Sequence, residues 1–150
     1  MATGHDHWAT RRAGLRVADL AGEEWIVDPD PLIRAYELAL CRRYGFEPAV
    51  THVAGDMAAV RALVATGAAV SWVAGGLQAG DDYAVLLPGD APLGRLVLVW
   101  DDRVLTCTHA HRLGDELFGL NLAVWREREP VLMRWLDRHG GLGRPGPIEP

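Results

Sequence analysis

Four side chains in two short segments have the types and spacing for acid–base chemistry. His52 and Asp56 stand at the two ends of HVAGD, and His109 and His111 follow Cys107 in the string CTHAH. Histidine changes charge near neutral pH and can act as a general acid or base, and a nearby thiol adds a nucleophile or a zinc ligand. If the protein is an enzyme, we expect its catalytic residues to be His52, Asp56, His109 and His111.

Each of these residues also has a structural interpretation. His52 lies on a predicted strand, where a half-buried structural histidine is the commoner case, and Asp56 is placed to cap a helix. The pattern after CTHAH predicts a helix, in which residues two apart point in different directions, so Thr108 would be the N-cap and both histidines would be exposed. No outlying His or Cys completes a zinc set, and no phosphate-binding or nucleophile motif occurs. We therefore predict neither a metal nor a cofactor.

The spacing of apolar residues predicts alternating strands and helices. One helix follows Asp30 and Pro31 and ends at Gly45, and a second follows Asp56 and ends at Gly67, since these residues are typical of helix starts and stops. The predicted strands are WIV at 25–27, AVTHVAG at 49–55, AAVSWVA at 68–74, DDYAVLLP at 81–88 and GRLVLVWDD at 94–102. AAVSWVA has no polar alternation, which favours a central strand covered on both faces. The alternation predicts an α/β fold with substantial parallel pairing.

In such sheets, ligands bind at the loops that follow the carboxyl ends of the strands. Three loops qualify, at 28–30, 52–56 and 72–76, and the residues that we expect to bind a ligand are Asp28, Asp30, Thr51, His52, Ser71, Trp72, Val73 and Gly75. Helix starts at 31 and 56 would favour an anionic group, and Trp72 could stack on an aromatic one. A helix-capping role for both aspartates and a core position for Trp72 are the structural alternatives.

Composition narrows the class of partner and the compartment. The formal net charge of −5 and the pI near 5.6 argue against a nucleic-acid surface, which needs a basic stripe. No apolar run approaches the roughly 20 residues that span a bilayer, and the first 14 residues lack the apolar core of a signal peptide. The two cysteines are far apart and show no metal-ligand spacing. We expect a cytoplasmic protein that binds neither nucleic acid by itself nor a membrane.

Four segments in a fixed order resemble a known family. They are ADLAGEEWIV at 18–27, the helix that closes on YGFEP at 44–48, DMAAVRALVATGAAVSWV at 56–73 and PLGRLVLVW at 92–100. Together they resemble the effector-binding domain of LysR-type transcriptional regulators over roughly residues 15–125. The resemblance implies a Rossmann-like lobe of a type 2 periplasmic-binding-protein fold, with a mixed, mostly parallel sheet and flanking helices. It also implies that the three loops line an effector cleft.

The chain departs from that family in several places. Nothing in it resembles the N-terminal winged helix-turn-helix or the first half of the effector domain, and AGG at 74–76 stands where the family usually has Val-Pro. We expect a flexible N-terminal segment at 1–14, an effector-domain-like domain at 15–126, and a C-terminal helix with a disordered tail at 127–150. A lobe without its partner exposes apolar surface, so a homodimer is expected.

These observations favour a small-molecule-binding protein derived from a LysR-type ligand-binding domain without its DNA-binding domain. The expected ligand is a small organic molecule, anionic or aromatic in character. Two alternatives stay open. The first is a cofactor-independent enzyme that uses the same cleft with histidine and aspartate as acid–base residues. The second is a regulatory module that forms heterodimers with a full-length regulator.

Overall fold

The computed structural model describes residues 1–73, 80–92, 101 and 103–139 of the 150-residue chain. The chain divides into two compact units, Met1–Pro92 and Leu93–Pro150. Most of the strand predicted at 94–102, the glycine at position 75 and the tail after residue 139 lie outside the described residues. Within the described part, no helix combines the length and apolarity needed to cross a membrane.

The first unit contains a five-stranded mixed sheet. Its strands are β1 (Ala2–Gly4), β2 (Glu24–Val27), β3 (Ala49–Val53), β4 (Val70–Ser71) and β5 (Tyr83–Val85). The strand order is β3-β2-β4-β1-β5. β2 runs parallel to β3 and to β4, whereas β1 is antiparallel to β4 and to β5. The predicted α/β class with a mixed sheet is confirmed, and β1 is the strand whose direction opposes the others.

The N-terminal segment is part of the sheet, which corrects the expectation of a flexible lead-in at 1–14. Ala2 and Thr3 are fully buried, and β1 pairs along its length with β5. A Cβ added to Gly4 would lie 2.9 Å from the carbonyl oxygen of Val64, so this glycine permits a close approach between β1 and a helix end. The sequence ATG is short and not apolar enough to predict a strand, but its small side chains fit this crowded position.

The helices of the first unit are α1 (Pro31–Arg43) and α2 (Met57–Ala65), and their predicted caps are confirmed. Asp30 accepts hydrogen bonds from two amides of the first turn of α1, and Asp56 accepts one at the start of α2. Gly45 and Gly67 follow the two helices with positive φ angles of 87° and 76°. Glycine adopts that conformation without the steric cost that a side chain would bring.

The second unit contains α3 (Cys107–Arg128) and α4 (Pro130–Arg138). The predicted N-cap is wrong by two residues, because Thr106 rather than Thr108 caps α3. Pro130 opens α4 as its first residue, which fits the preference of proline for a position where no amide hydrogen bond is lost.

Two apolar clusters cover the opposite faces of the sheet in the first unit. Alternation along β2 sends Trp25 into one cluster, which includes Val17, Leu20, Cys41 and Val70, and Ile26 into the other, which includes Val60, Val64, Ala69 and Tyr83. β4 is buried along its length, which confirms the prediction that AAVSWVA supplies a covered central strand. The sheet that carries the loops at its edge is therefore packed on both faces.

Candidate functional site

Three loops leave the same edge of the sheet, because β3, β2 and β4 are parallel neighbours. Val27, the last residue of β2, is level with Val53 at the end of β3, and Ile26 is level with Ser71 at the end of β4. The amide of Ala54 donates to the carbonyl of Val27 at 3.0 Å, which extends the pairing into the loop. The segments that begin at 28, 54 and 72 therefore start side by side, as sequence analysis expected.

The loops after β2 and β3 touch at a glycine. A Cβ added to Gly55 would lie 2.9 Å from both Cδ and Cγ of Pro29, and 3.6 Å from an oxygen of Asp28. Distances under 3 Å are not tolerated between carbon atoms, so only glycine lets the second loop pass this closely. Sequence analysis did not single out Gly55, although its place directly before the helix cap was visible.

The loop after β2 is held by its own polar groups and by α1. Asp28 Oδ1 accepts the amide of Asp30 at 2.7 Å, and the amide of Asp28 donates to Glu37 Oε2 at 2.9 Å. Arg34 Nε donates to the carbonyl oxygen of Asp28 at 2.9 Å. Asp28 is half-buried and Asp30 is exposed. Both predicted residues therefore sit at the edge, and their side chains already have local structural roles.

Glu37 is a buried carboxylate that sequence analysis missed. Its side chain lies on the inner side of α1, and burial raises its pKa above the ordinary glutamate value, with a smaller lowering from the Asp28 amide. The only signal in the sequence was a charged residue among the apolar positions of PLIRAYELAL. Its hydrogen bond ties α1 to the loop that begins at Asp28, so it positions that loop.

The two helix N-termini at this edge differ in what they can offer a ligand. In α1, the amides of Leu32 and Ile33 are bound by Asp30 Oδ1 at 2.8 and 3.1 Å, and Pro31 has no amide hydrogen. The first turn of α1 is thus satisfied by its own cap, which removes the expected anion site there. In α2, the Asp56 carboxylate accepts the amide of Ala58 at 3.1 Å.

The loop after β3 begins with a local irregularity of the strand. The register with β2 shifts between Trp25, which is level with Val50, and Ile26, which is level with His52, so Thr51 is the extra residue. Thr51 Oγ1 and His52 Nδ1 lie 2.8 Å apart, Thr51 is exposed, and His52 is half-buried. The imidazole thus stands on an edge strand beside the loop, where part of it reaches solvent.

The end of β4 and the first residues after it contribute side chains to the core. Ser71 is buried, and its hydroxyl donates to the carbonyl of Trp72 at 3.0 Å. Trp72 Nε1 donates to Cys41 Sγ at 3.4 Å, and its ring lies 5.7 Å from that of Trp25. Val73 packs against the second apolar cluster. These side chains form the base beneath the loops, so the core alternative for Trp72 describes it better than a free stacking surface.

The histidines of the second unit lie on a helix rather than on an extended segment. Cys107, His109 and His111 are exposed on the first turns of α3, and His109 Nδ1 lies 2.8 Å from the hydroxyl of the cap residue Thr106. The prediction of a helix with both histidines exposed is therefore confirmed. Among the described residues, no group of three His, Cys, Asp or Glu side chains could hold a metal ion.

A histidine–carboxylate pair occurs elsewhere, in the N-terminal segment that was expected to be mobile. His7 Nε2 lies 3.1 Å from Glu23 Oε2, and its other ring nitrogen accepts the amide of Ala9 at 3.3 Å. The Trp8 indole donates to the second oxygen of Glu23 at 2.7 Å. Because both ring nitrogens are occupied by the protein, this pair fixes a turn and is not free to act as a base.

This fold, with parallel strands that deliver three loops to one edge, is the architecture of a ligand-binding α/β lobe. Residues 1–117 match the LysR substrate binding domain. The chain belongs to that family, whose members have a type 2 periplasmic-binding-protein fold. The match begins at residue 1 and so includes β1, whereas sequence analysis recognised the resemblance only from about residue 15.

Two curated relatives share part of the sequence. The chain is 41% identical over 101 residues to a small neutral protease regulatory protein of Streptomyces coelicolor and to a protein with the same description from Streptomyces lividans. The aligned region is 62% of this chain and 28% and 27% of those proteins. The chain therefore spans about a quarter of the length of the curated relatives that it matches. No solved structure matches it.

Proposed function

We propose that the first unit binds a small-molecule effector at the carboxyl edge of β3, β2 and β4. The observation that carries this proposal is that three loops begin side by side at one edge of the sheet, with Gly55 packed against Pro29 where two of them touch. Membership of the LysR substrate-binding family supports an effector as the kind of ligand. Open α/β sheets bind ligands at this edge because loops from neighbouring strands meet there.

The groups left at the edge favour a small polar organic molecule. His52 and Thr51 are at least partly open to solvent, and the exposed side of Asp28 adds a carboxylate. Since the first turn of α1 is occupied by Asp30, an anionic group on the ligand would meet His52 and the start of α2 instead. An aromatic group would contact the outer edge of Trp72, whose indole nitrogen is directed to Cys41.

The proposal places this binding in the cytoplasm, in a protein that acts as a sensor, carrier or sequestering module. DNA contact is not part of it, because a net charge of −5 opposes association with a polyanion. We also propose that the functional form is a homodimer. Exposed apolar side chains in both units, such as Leu32 and Leu120, support association between chains.

The test is retention of small molecules from an extract of the source cells by the tagged 150-residue protein, followed by mass spectrometry. We expect one compound to be retained at about one equivalent and unchanged in mass. His52→Ala should reduce its retention by about 5-fold, the loss of one hydrogen bond. His5→Ala is the matched control, because His5 is an exposed histidine of the N-terminal turn. No retention above a tag-only control, or equal loss in both variants, would contradict the proposed site.

The same time course separates binding from catalysis. A compound that disappears while a new mass accumulates beyond one equivalent would make the protein an enzyme. Slower turnover in His52→Ala or Asp56→Asn would then assign the acid–base residues. Turnover that depended on His109 or His111 would instead assign the chemistry to α3.

A further inference from the structure

Helix α3 carries an apolar stripe on a surface that faces solvent. The stripe, called the α3 stripe here, consists of Leu113, Leu117, Leu120 and Val124, whose exposed fractions are 41%, 41%, 65% and 45%. The same helix has a second apolar face, with Phe118, Leu122 and Trp125, that is partly buried. α3 therefore has one apolar face that is packed and another that remains exposed.

The spacing of the α3 stripe fits a second helix of the same kind. Steps of four, three and four residues follow the 3.5-residue period at which two helices stay in contact along their length. These steps are symmetric about the middle of the stripe. Two antiparallel copies of α3 would therefore place Leu113 against Val124 of the second copy, and Leu117 against its Leu120. A surface that complements itself under a twofold rotation is what an isologous dimer needs.

Charges at the two ends of the stripe are complementary under the same rotation. Arg112 directly precedes the stripe and Glu127 follows it by three positions, and at about 100° per residue both lie on the same flank. Antiparallel pairing brings Arg112 of one copy to within about 3 Å of axial rise of Glu127 of the other. Within one chain, Arg112 reaches Glu116 only at 4.0 Å, so its guanidinium can bind a second carboxylate. Parallel pairing would instead leave Arg112 of one copy and Glu127 of the other about 22 Å apart along the axis, too far to interact.

We propose that the α3 stripe is an interface between two copies of this chain, which pair their α3 helices antiparallel. The opposed helix dipoles favour the same orientation. Four apolar side chains per copy make a short interface, so the dimer should form reversibly and dissociate on dilution. The interface lies within the second unit and needs no effector. Failure of the binding site at the sheet edge would therefore leave this inference unaffected.

Sedimentation velocity of the full chain, from low micromolar to several hundred micromolar, tests the interface. Wild type should shift from monomer to dimer as its concentration rises. Leu117→Glu should weaken the association by about 30-fold or more, since it places a charge at the centre of the contact. Val104→Glu is the matched control, because Val104 is an exposed apolar residue of the same unit outside the stripe. Circular dichroism of each variant checks that it is folded.

Two results would overturn the inference. One is a wild-type monomer at every concentration. The other is a dimer that Leu117→Glu leaves intact. Leu32→Glu serves as a second comparison, since Leu32 is the most exposed apolar residue of α1. Loss of the dimer in that variant alone would assign the interface to α1 instead of the α3 stripe.

Charge reversal and cross-linking test the antiparallel orientation. Arg112→Glu and Glu127→Arg should each weaken the dimer by about 5-fold, and the two changes together should restore it. In a Cys107→Ser background, Leu113→Cys and Val124→Cys should form a disulfide only when the two variants are mixed. Equivalent cysteines on antiparallel copies are about 16 Å apart along the axis, beyond disulfide reach. A cross-link within either variant alone would show parallel pairing and overturn the proposed arrangement.

Discussion

Gly55 lies directly against the ring of Pro29, so that a Cβ at position 55 would stand 2.9 Å from two ring carbons. The contact joins the loop after β3 to the loop after β2, and a proline ring cannot rotate away from an added methyl group. Since neither residue belongs to the buried clusters, the contact shapes the edge of the sheet more than the core.

Gly55→Ala should therefore destabilise the protein by about 1–3 kcal/mol, the usual range for overpacking, and should weaken binding of the retained compound. Urea unfolding measures the first effect. Gly22→Ala is the control, because no atom lies within 4 Å of its added Cβ, and there the loss of chain entropy should stabilise by about 0.5 kcal/mol. Equal stability of the two variants would show that the loops at 29 and 55 separate at little cost.

Glu37 should make stability depend on pH in mild acid. Burial raises its pKa in the folded protein, so the unfolded chain releases the proton first as the pH rises. Stability is then fully present below the ordinary glutamate pKa and is lost as the pH rises through the folded value. Glu37→Gln keeps an acceptor for the Asp28 amide but cannot titrate, so its unfolding free energy should vary less across that window than that of wild type.

Comparison of Glu37→Ala with Glu37→Gln separates the contribution of the hydrogen bond to stability from that of the charge. Glu37→Ala leaves the Asp28 amide without its partner and should cost about 1–3 kcal/mol at any pH. Chemical denaturation of both variants at several pH values makes the comparison. If the glutamine variant lost as much stability as the alanine variant at neutral pH, the carboxylate itself, rather than a hydrogen-bond acceptor, would be what the loop requires.

The buried amino group of Met1 should also make stability depend on pH, between about pH 5 and pH 8. It donates to the carbonyl of Leu86 at 3.0 Å, and burial lowers its pKa to about 5. As the pH falls from 8 towards 5, the unfolded chain gains a proton that the folded chain does not, so stability falls by up to roughly 4 kcal/mol. N-terminal acetylation removes the titrating group, so the acetylated chain should lose much less stability between these pH values. Parallel slopes for the two forms would contradict this account.

Sequence patterns predicted the parts of the fold that depend on local chemistry. Asp30, Asp56, Gly45 and Gly67 mark helix ends because capping and positive φ act within a few residues. β1 was missed because its three residues, ATG, acquire strand structure only from partners more than 60 positions away in the sequence. Local patterns do not contain such partners.

At the candidate site, too, local patterns predicted some residues and missed those whose roles depend on contacts between distant elements. Asp28 and His52 were predicted because each follows or belongs to a predicted strand, and both lie at the carboxyl edge of the parallel strands. Gly55 and Glu37 were missed because their roles arise from contacts between elements, a proline ring in one case and a loop amide in the other. For Trp72 the sequence left both a ligand-stacking role and a core position open, and its contact with Cys41 shows that its indole nitrogen is turned towards the core.

The two cysteines should differ sharply in reactivity. Cys41 is buried, its sulfur accepts the Trp72 indole N–H, and burial raises its thiol pKa, so little reactive thiolate forms. Cys107 is exposed at the start of α3. Titration of the native protein with an aromatic disulfide reagent should therefore modify one thiol per chain quickly, and a second only after denaturation. Cys107→Ser should abolish the fast phase, whereas Trp72→Phe should allow Cys41 to react slowly in the native protein, because it removes the indole N–H bound to its sulfur. Fast modification of both thiols in the native wild type would show that the apolar cluster around Cys41 and Trp72 opens readily to solvent.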